Sequence, residues 1–567
     1  MLFFTTLFVW VYIFFVKCYN FFLMKKNLRL FWDNALNLFC VSVLTGLFAG
    51  VVVTFYNILM SIGESTAETY YKLLLENPAF IPLLFVGLAA GAIVIGTLVR
   101  FVPMIRGSGI PQIEGAARGV VRFKWYVTMC SMFAASLACV FMGYPAGAEG
   151  PSLELGGCAG SAVGTLLKRN QMVRRIQIAS GASSGLAVAF NAPITGIVFA
   201  MEEAFRSFSP QVFICASISV ITSLVTRNAI RSSLDFTVGF AFDGFVFADF
   251  DALSYVYLAI SAFITALAGV GFYHIVFISK KLFKRIKILK GAFKYVIPFT
   301  LAGAFGLLTA YSLGGGHSFI HSIATGGTGA IAISEVFGAG LLGSLVIITV
   351  IRFVMATLTM GCGVPCGVFI PMLSVGAGCG AILSVLFQCA GLNAACGDYF
   401  VIICMAAFFT CVVKAPVTGI VMVFELTGQF VNFLPALLGI VIGHIVGLLF
   451  KTEAIYEKSL AGYIEEEQIY KNFKKVRFTL VIAQGAKAVG TAIRRLVWPS
   501  NGLVVSRISA DGTQSVPDGE TVLGAGETIV FECETDDDKE VMEYLVAIVG
   551  KQQKPIEENC IQEEKQE

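Results

Sequence analysis

Long apolar stretches alternate with short polar loops along most of this chain. Nearly uninterrupted apolar runs occupy residues 38–62, 80–102, 253–278 and 331–350. A helix needs about 20 apolar residues to cross the roughly 30 Å hydrocarbon core of a bilayer, and each run reaches that length. The pattern therefore predicts several membrane-spanning helices. After about residue 463 the sequence becomes charged and alternating, which predicts a soluble appendage.

The C-terminal segment, residues 463–550, predicts a small α/β domain. Strand-like stretches lie at residues 479–482, 502–508 and 527–532, and a short helix is expected at 488–496. The order of strand, turn, proline and strand from Arg507 to Phe531 resembles the C-terminal ligand-sensing domain of potassium-uptake regulators (TrkA-C, or RCK-C). That resemblance implies a small cytoplasmic ligand. The polar tail, residues 551–567, is expected to be disordered.

Composition favours a membrane protein and argues against a nucleic-acid partner. Hydrophobic residues make up 57% of the 567 positions and charged residues 14%, against roughly 25% charged residues in soluble domains. The net charge is only +3. Basic loops at residues 168–175 and 280–294 predict the cytoplasmic side, and the acidic segment 235–251 predicts an external loop.

Glycine and proline are concentrated in the apolar regions of the chain. Most of the 58 glycines and 16 prolines lie there. Because water cannot satisfy a freed peptide group at membrane depth, this pattern predicts broken helices around a protein-enclosed pathway.

Residues 1–35 predict a hydrophobic N-terminal extension. The first 24 residues are mostly apolar and aromatic, and Lys25, Lys26 and Arg29 follow them. A secretory signal begins with a positive region and ends in a small-residue cleavage site, a pattern that differs from this one. An uncleaved extra helix and a start codon assigned too far upstream both fit the segment.

The 15 cysteines and four histidines form no recognisable disulfide or metal pattern. Most cysteines lie within apolar runs, as small helix residues do. His317 and His321 would share one helix face as a metal pair, but a polar pair flanking a loop is the favoured interpretation. No set of nucleophile, base and orienting group is apparent, so we expect neither an enzyme nor a bound cofactor.

An internal repeat divides the apolar region into two halves. Residues 192–202 match residues 415–425 at seven of eleven positions. Upstream of each segment a Gly-x-x-x-Pro motif recurs, at Gly147 and at Gly367, at intervals of 45 and 48 residues from the matching segments. Glycine-rich packing between helices is the alternative explanation. The repeat predicts two halves of inverted topology.

Three short motifs bounded by glycine and proline interrupt the apolar sequence, at residues 107–111, 147–151 and 367–371. Proline suits the first turn of a helix, and glycine lets free backbone amides approach a ligand closely. A helix start presents uncapped N–H groups and about half a positive charge. Three such starts that converge would hold an anion weakly and reversibly, as transport requires.

A carboxylate stands beside one of these helix starts. Glu149 would occupy the position that an anion prefers, and would compete with it. When protonated, Glu149 loses its charge and should leave the site, so one residue can couple anion occupancy to proton uptake. A carboxylate that merely stabilises the start of its helix is the alternative.

At these motifs the chain resembles the CLC family of chloride channels and chloride/proton antiporters, over about residues 36–462. The resemblance implies an all-α polytopic membrane protein with two inverted-topology repeats, residues 36–232 and 252–462, which contacts membrane lipid. It also implies a homodimer with one pathway per subunit.

The resemblance implies roles for particular residues as well. Glu149 would be the external gate and proton carrier. Chloride would be held by Ser108, Gly109, Ile110, Val368, Phe369 and Tyr456, although a tyrosine that anchors a helix end at the membrane interface would look the same as Tyr456.

Glu203 bears on whether transport is coupled to protons. Antiporters of the family resemble one another in keeping an internal proton-transfer glutamate at this position, whereas channels usually replace it. Glu114 would support Glu203 through a polar contact. The resemblance therefore implies chloride/proton antiport. A passive, gated chloride channel is the alternative, with Glu203 at a solvated helix end before Arg206.

Two residues refine the expected transport. Ser108 makes chloride the default anion, because relatives that favour nitrate or fluoride tend to replace this serine. Ala148 departs from the family pattern, which has a basic residue before the gating glutamate. Anion attraction at the outer mouth should therefore be weaker, and we expect a shifted pH dependence of transport.

The C-terminal domain alone would suggest a cation-uptake component. The potassium-filter sequence Thr-Val-Gly-Tyr-Gly, which such a protein should carry, does not occur in the chain. Many eukaryotic CLC relatives carry paired CBS-type modules, which this sequence does not show. We therefore expect a multi-pass protein of a prokaryotic plasma membrane, with its C-terminal domain in the cytoplasm.

Overall fold

A computed structural model describes residues 28–206, 209–234, 252–285, 291–324, 332–393, 396–427, 433–468, 474–550 (without 497, 500, 501, 510, 536 and 537) and 557–560. Within these residues seven helices are long and apolar enough to cross a membrane. The prediction of a polytopic helical membrane protein is confirmed. The apolar segment 1–24 and the acidic segment 235–251 lie outside the described residues.

Helices of very unequal length build the first half. Helix α1 has 49 residues and α3 has nine, of which all but Arg118 are buried, so α3 ends inside the protein. Left-handed glycines, Gly109 and Gly119, bound α3 at its two ends. The bounds are α1 Leu28–Glu76, α2 Ile81–Phe101, α3 Ile110–Arg118, α4 Trp125–Phe141, α5 Glu149–Leu166, α6 Gln171–Phe190, α7 Pro193–Phe199 and α8 Pro210–Leu234.

The second half has the same mixture of long and short helices. The two most buried helices of this half are Phe369–Gln388 (α13) and Gly397–Val413 (α14), in which most side chains are buried. The bounds are α9 Ala252–Arg285, α10 Val296–Leu308, α11 His317–Ala324, α12 Gly340–Cys362, α13 Phe369–Gln388, α14 Gly397–Val413, α15 Pro416–Thr427, α16 Phe433–Leu449 and α17 Ile455–Gln468. Helix α17 continues past residue 462, where we expected the membrane region to end.

The sequence repeat appears in the fold as a reciprocal pair of helix caps. Glu202, just after α7, accepts hydrogen bonds from the backbone amides of Val417 and Thr418 at the start of α15, at 3.0 and 2.7 Å. Glu425, in α15, accepts the equivalent bonds from the amides of residues 194 and 195 at the start of α7, at 2.7 and 2.6 Å. In both caps the threonine hydroxyl also donates to the glutamate. Each half therefore caps a helix of the other.

The C-terminal segment forms a five-stranded antiparallel sheet of order β3-β2-β4-β1-β5, with one helix, α18 Asp538–Val549. The short helix expected at residues 488–496 was a wrong prediction: Gly490 has a φ of +72°, and only a 3-10 turn, Ile493–Arg495, forms there. The tail, expected to be disordered, contributes β5. The strands are β1 Lys474–Val481, β2 Gly502–Ile508, β3 Gln514–Ser515, β4 Thr528–Thr535 and β5 Glu557–Cys560.

One buried arginine joins the sheet domain to the membrane helices. Arg175, in α6, donates from Nη1 to the carbonyl of Trp498 at 2.8 Å and to the hydroxyl of Tyr544 at 2.7 Å. Its Nε donates to the carbonyl of Ala117, in the last turn of α3, at 2.9 Å. Burial raises the pKa of Tyr544, so the phenol remains a neutral partner. The docked domain is thus connected to the C-terminal end of α3.

Candidate anion and proton pathway

The three glycine and proline motifs converge at one point of the fold. A side chain at Gly150 would lie 2.6 Å from the carbonyl oxygen of Ser108 and 3.2 Å from the Cα atom of Gly367. Gly147 and Gly367 also pair directly, since each donates its amide to the carbonyl of the other, at 2.8 and 3.0 Å. Only glycine permits these approaches. The starts of α3, α5 and α13 therefore meet, as the motifs predict.

Backbone amides and the Ser108 side chain lie at this meeting point. Ser108 and Gly109 precede Ile110, the first residue of α3, and Val368 is the N-cap of α13, with no side-chain hydrogen bond at either cap. The free amides at a helix start attract an anion. Phe369 closes the site on one side, where its ring packs against Phe190 and Phe409 at centroid distances of 5.1 and 4.9 Å.

Tyr456 lies in the same buried cluster as Ile110, Val368 and Phe369. The residue is fully buried, and within the described part of the chain its hydroxyl has no hydrogen-bond partner. A buried hydroxyl without a partner costs about 1–3 kcal/mol. Because a phenol donates a hydrogen bond, an anion at this position would satisfy it.

Glu149 is the first residue of α5 and is buried to 97%. Its Oε2 atom lies against Gly147, where a Cβ would come within 2.3 Å of that oxygen. Its Oε1 atom lies 3.6 Å from Nε2 of His317, at the start of α11. The carboxylate therefore has two neighbours. On one side are the hydrogen-bonded backbones of Gly147 and Gly367, and on the other is the His317 side chain, which is 26% exposed.

A second buried carboxylate, Glu203, lies at the other end of α3. It belongs to a π-helical turn, Ala200–Ala204, that continues α7. Arg118, the last residue of α3, donates to the Glu203 carbonyl at 2.8 Å, and Arg206 donates to its Oε1 at 3.4 Å. Glu203 therefore contacts the C-terminal end of α3, whereas the glycine and proline motif lies at the N-terminal end of that helix.

Glu114 does not make the direct polar contact with Glu203 that we expected. Both Glu114 oxygens have no hydrogen-bond partner among the described residues. Arg118 contacts both residues instead: its Nη2 atom lies 3.8 Å from Glu114 Oε2 and donates to the backbone carbonyl of Glu203 at 2.8 Å. Glu114 can therefore influence Glu203 only through charge and through Arg118.

A basic cavity leads to the central site from the side of the second basic cluster. It has a volume of about 530 Å³ and includes Ser108 in its wall. Glu453 and Glu465 also line this cavity, but its cationic residues outnumber them, and an excess of one sign of charge raises the local concentration of the opposite ion. The cationic residues in its wall are Arg106, Lys280, Lys281, Lys284, Lys294 and Lys458.

The comparisons with known proteins bear on this site directly. The model of the voltage gated chloride channel family matches residues 90–448. The chain belongs to this family, the CLC proteins. The H(+)/Cl(-) exchange transporter ClcA of Vibrio cholerae is 30% identical over 444 residues, which are 76% of this chain and 90% of that relative. ClcA of Vibrio campbellii is 28% identical over 434 residues, with the same coverage.

Solved structures share the CLC fold. A slow cyanobacterial Cl-/H+ antiporter superposes with a TM-score of 0.65 at 22% identity, over 76% of this chain and 99% of that one. A eukaryotic CLC transporter superposes with a TM-score of 0.57 at 20% identity, over 76% and 74% of the two chains. At these identities the likeness establishes the fold and nothing further.

Several residues around this CLC site gave no usable signal in the sequence. His317, Glu64 and Arg352 surround the outer carboxylate but lie far from Glu149 along the chain. Arg118 is different, because it lies four residues after Glu114 on the same helix, and such pairs are ordinary helix neighbours. That spacing was available in the sequence and would have identified Arg118.

Proposed function

We propose that this CLC protein exchanges chloride for protons across a membrane. The observation that carries the proposal is the presence of two buried carboxylates, Glu149 and Glu203, one beside the converging helix starts and one at the far end of α3. A pathway for anions alone needs only the first of them. The chain would act as a transporter, with no chemical conversion of the ion and no cofactor.

The anion would be held by dipoles rather than by a full positive charge. Free amides at Ile110 and Phe369, together with the hydroxyls of Ser108 and Tyr456, offer hydrogen bonds to chloride at the central site. Such binding is favourable enough for entry and weak enough for release. The basic cavity beside Ser108 would supply chloride from the inner side.

The proton would use Glu149 and Glu203 in turn. A charged Glu149 competes with chloride near the start of α5, and a proton on its carboxylate removes that competition. Tyr456 lies within electrostatic range of Glu149, Glu203 and Glu114, and this supports a position of the phenol near both carboxylates of the proposed proton pathway. Anion occupancy and proton uptake would then be two consequences of one event at Glu149.

A gradient assay tests the coupling. The protein in lipid vesicles under an outward chloride gradient should drive protons uphill, whereas a passive channel carries chloride alone. Glu203→Gln should abolish proton movement and keep chloride flux, because Glu203 contacts the end of α3 that is opposite to the central site. Glu76→Gln, at the exposed end of α1 and outside the basic cavity, is the matched control and should leave both fluxes unchanged.

We also propose an orientation, with the C-terminal domain in the cytoplasm of a prokaryotic cell. The domain docks on Arg175, part of one basic loop, and the lysines of the other basic loop line the inner cavity. Basic loops favour the cytoplasmic side. A protease added outside intact cells should leave this domain uncut.

The oligomeric state and the C-terminal ligand complete the proposal. We expect a homodimer in the lipid bilayer with one pathway per subunit, which cross-linking in membranes would detect.

A small cytoplasmic ligand would bind the TrkA-C-like domain and bias transport. Cell extract should then change the flux of the full chain but not the flux of a chain truncated after residue 470. Identical flux of the full chain with and without extract would contradict this role.

A further inference from the structure

We propose that His317 is the outer proton-transfer partner of Glu149, a protonatable group that takes a proton from the external solution and passes it to the gate. The inference rests on the proposed exchange of chloride for protons. Its starting point is the 3.6 Å separation between His317 Nε2 and Glu149 Oε1.

The two side chains differ in their access to water. The Glu149 side chain is 4% exposed and the His317 side chain is 26% exposed. A proton therefore reaches the imidazole more easily than it reaches the carboxylate. Imidazole is also the side chain whose charge ordinarily changes between about pH 5 and pH 8, which suits a relay that loads and unloads near neutral pH.

The turn that carries His317 is fixed from two sides. Glu64 of α1 accepts a hydrogen bond from the Gly315 amide at 3.0 Å. Arg352 of α12 donates to the carbonyls of residues 311 and 313, at 2.5 and 3.2 Å. Gly316 has a φ of +113°, and a side chain there would collide with Arg352. The fold therefore holds the imidazole beside the gate through contacts made by its own backbone.

The charged groups near the imidazole come from several helices. Glu149 comes from α5 and Glu64 from α1, with Glu68 one turn farther along α1. Arg352 of α12 is buried and donates hydrogen bonds to the backbone carbonyls of residues 311 and 313. The sequence of α13, the helix that packs on α11, contains no acidic or basic residue. On α11 itself His321 is the other titratable group, one turn away and exposed.

The pairing of His317 with Glu149 matters because the residue before Glu149 is the uncharged Ala148. It is the N-cap of α5 and offers no side-chain hydrogen bond to the helix start. The positive charge that His317 places 3.6 Å from Glu149 is conditional, because it exists only while the imidazole is protonated. In the transfer step the Nε2–H bond of the imidazolium breaks and an O–H bond forms on Glu149 Oε1. The neutral imidazole then takes its next proton from the external solution.

The test compares proton and chloride fluxes in the same vesicles, at symmetric pH values from about 5.5 to about 8. In His317→Gln we expect proton-coupled exchange at about pH 7 to fall roughly tenfold or more, as happens when a positioned acid is removed. The difference should shrink at the acidic end, where water protonates Glu149 directly. His321→Gln, on the same helix, is the matched control and should retain the native profile.

A double variant separates a loss of proton transfer from a loss of folding. In Glu149→Gln the gate cannot accept a proton, so adding His317→Gln should leave chloride flux unchanged, and unchanged flux also shows that the variant folds. A native profile in His317→Gln, or a fall by one factor at every pH, would overturn the proposed transfer. Native protein that moves chloride but no protons would overturn the exchange reaction, and the transfer step with it.

Discussion

The reciprocal caps formed by Glu202 and Glu425 make a quantitative prediction about stability. In Glu425→Gln one side-chain oxygen remains to accept the bonds from Thr195, while the new NH2 group faces the Ile194 amide that Oε1 now satisfies at 2.7 Å. The variant loses one charge-assisted hydrogen bond, about 1.5–3 kcal/mol, and the favourable charge at a helix start, about 0.3–1 kcal/mol. The expected loss is about 2–4 kcal/mol, a shift of about 30- to 700-fold toward the unfolded state.

Glu202→Gln should cost the same amount to within about 1 kcal/mol, because its bonds to the start of α15 repeat those of Glu425 group for group. Equilibrium unfolding in detergent micelles, followed by tryptophan fluorescence, measures both losses. Glu76→Gln, at the exposed end of α1, is the control and should change stability by less than about 0.5 kcal/mol.

Two results would refute the reasoning about the caps. If one variant is destabilised and the other is not, the two halves of the protein do not hold each other in equivalent ways. If both behave as Glu76→Gln does, the carboxylates do not cap the helices, and the matching sequence segments reflect only shared ancestry of the halves.

Two further predictions concern the C-terminal domain. Tyr544→Phe removes a hydrogen bond to the charged Arg175 and should weaken docking by about 1.5–3 kcal/mol, seen as faster hydrogen exchange in α18 while Tyr126→Phe leaves that exchange unchanged. The Arg507 guanidinium holds the pKa of Glu527 below its usual value of 4.5, so this carboxylate stabilises the folded sheet above pH 4.5 and the contribution is lost as the pH falls through the lowered pKa. Glu527→Gln should therefore increase hydrogen exchange in β4 at pH 7, and its difference from the native chain should shrink as the pH is lowered below 4.5; a difference that stays constant with pH would contradict the pair.

The sequence by itself determined the class of protein and the position of its most informative motifs. Apolar runs long enough to cross a bilayer predicted the membrane helices, and the repeat of residues 192–202 at 415–425 predicted the two halves. The motifs at Ser108, Glu149 and Phe369 predicted helix starts, and the structure has a helix beginning within each motif. These features follow from composition and local spacing, which a linear pattern contains.

Only the tertiary structure decided which groups meet. Arg118 contacts both Glu114 and Glu203, where we expected a direct contact between the two glutamates, and the capping of each half by the other was not visible in the repeat. The His317 pairing with Glu149 joins two segments that no sequence period relates. The physical reason is that hydrophobic periodicity and helix-start chemistry act within a few residues. The electrostatic partners of a buried carboxylate are chosen by packing between helices that are distant in the chain.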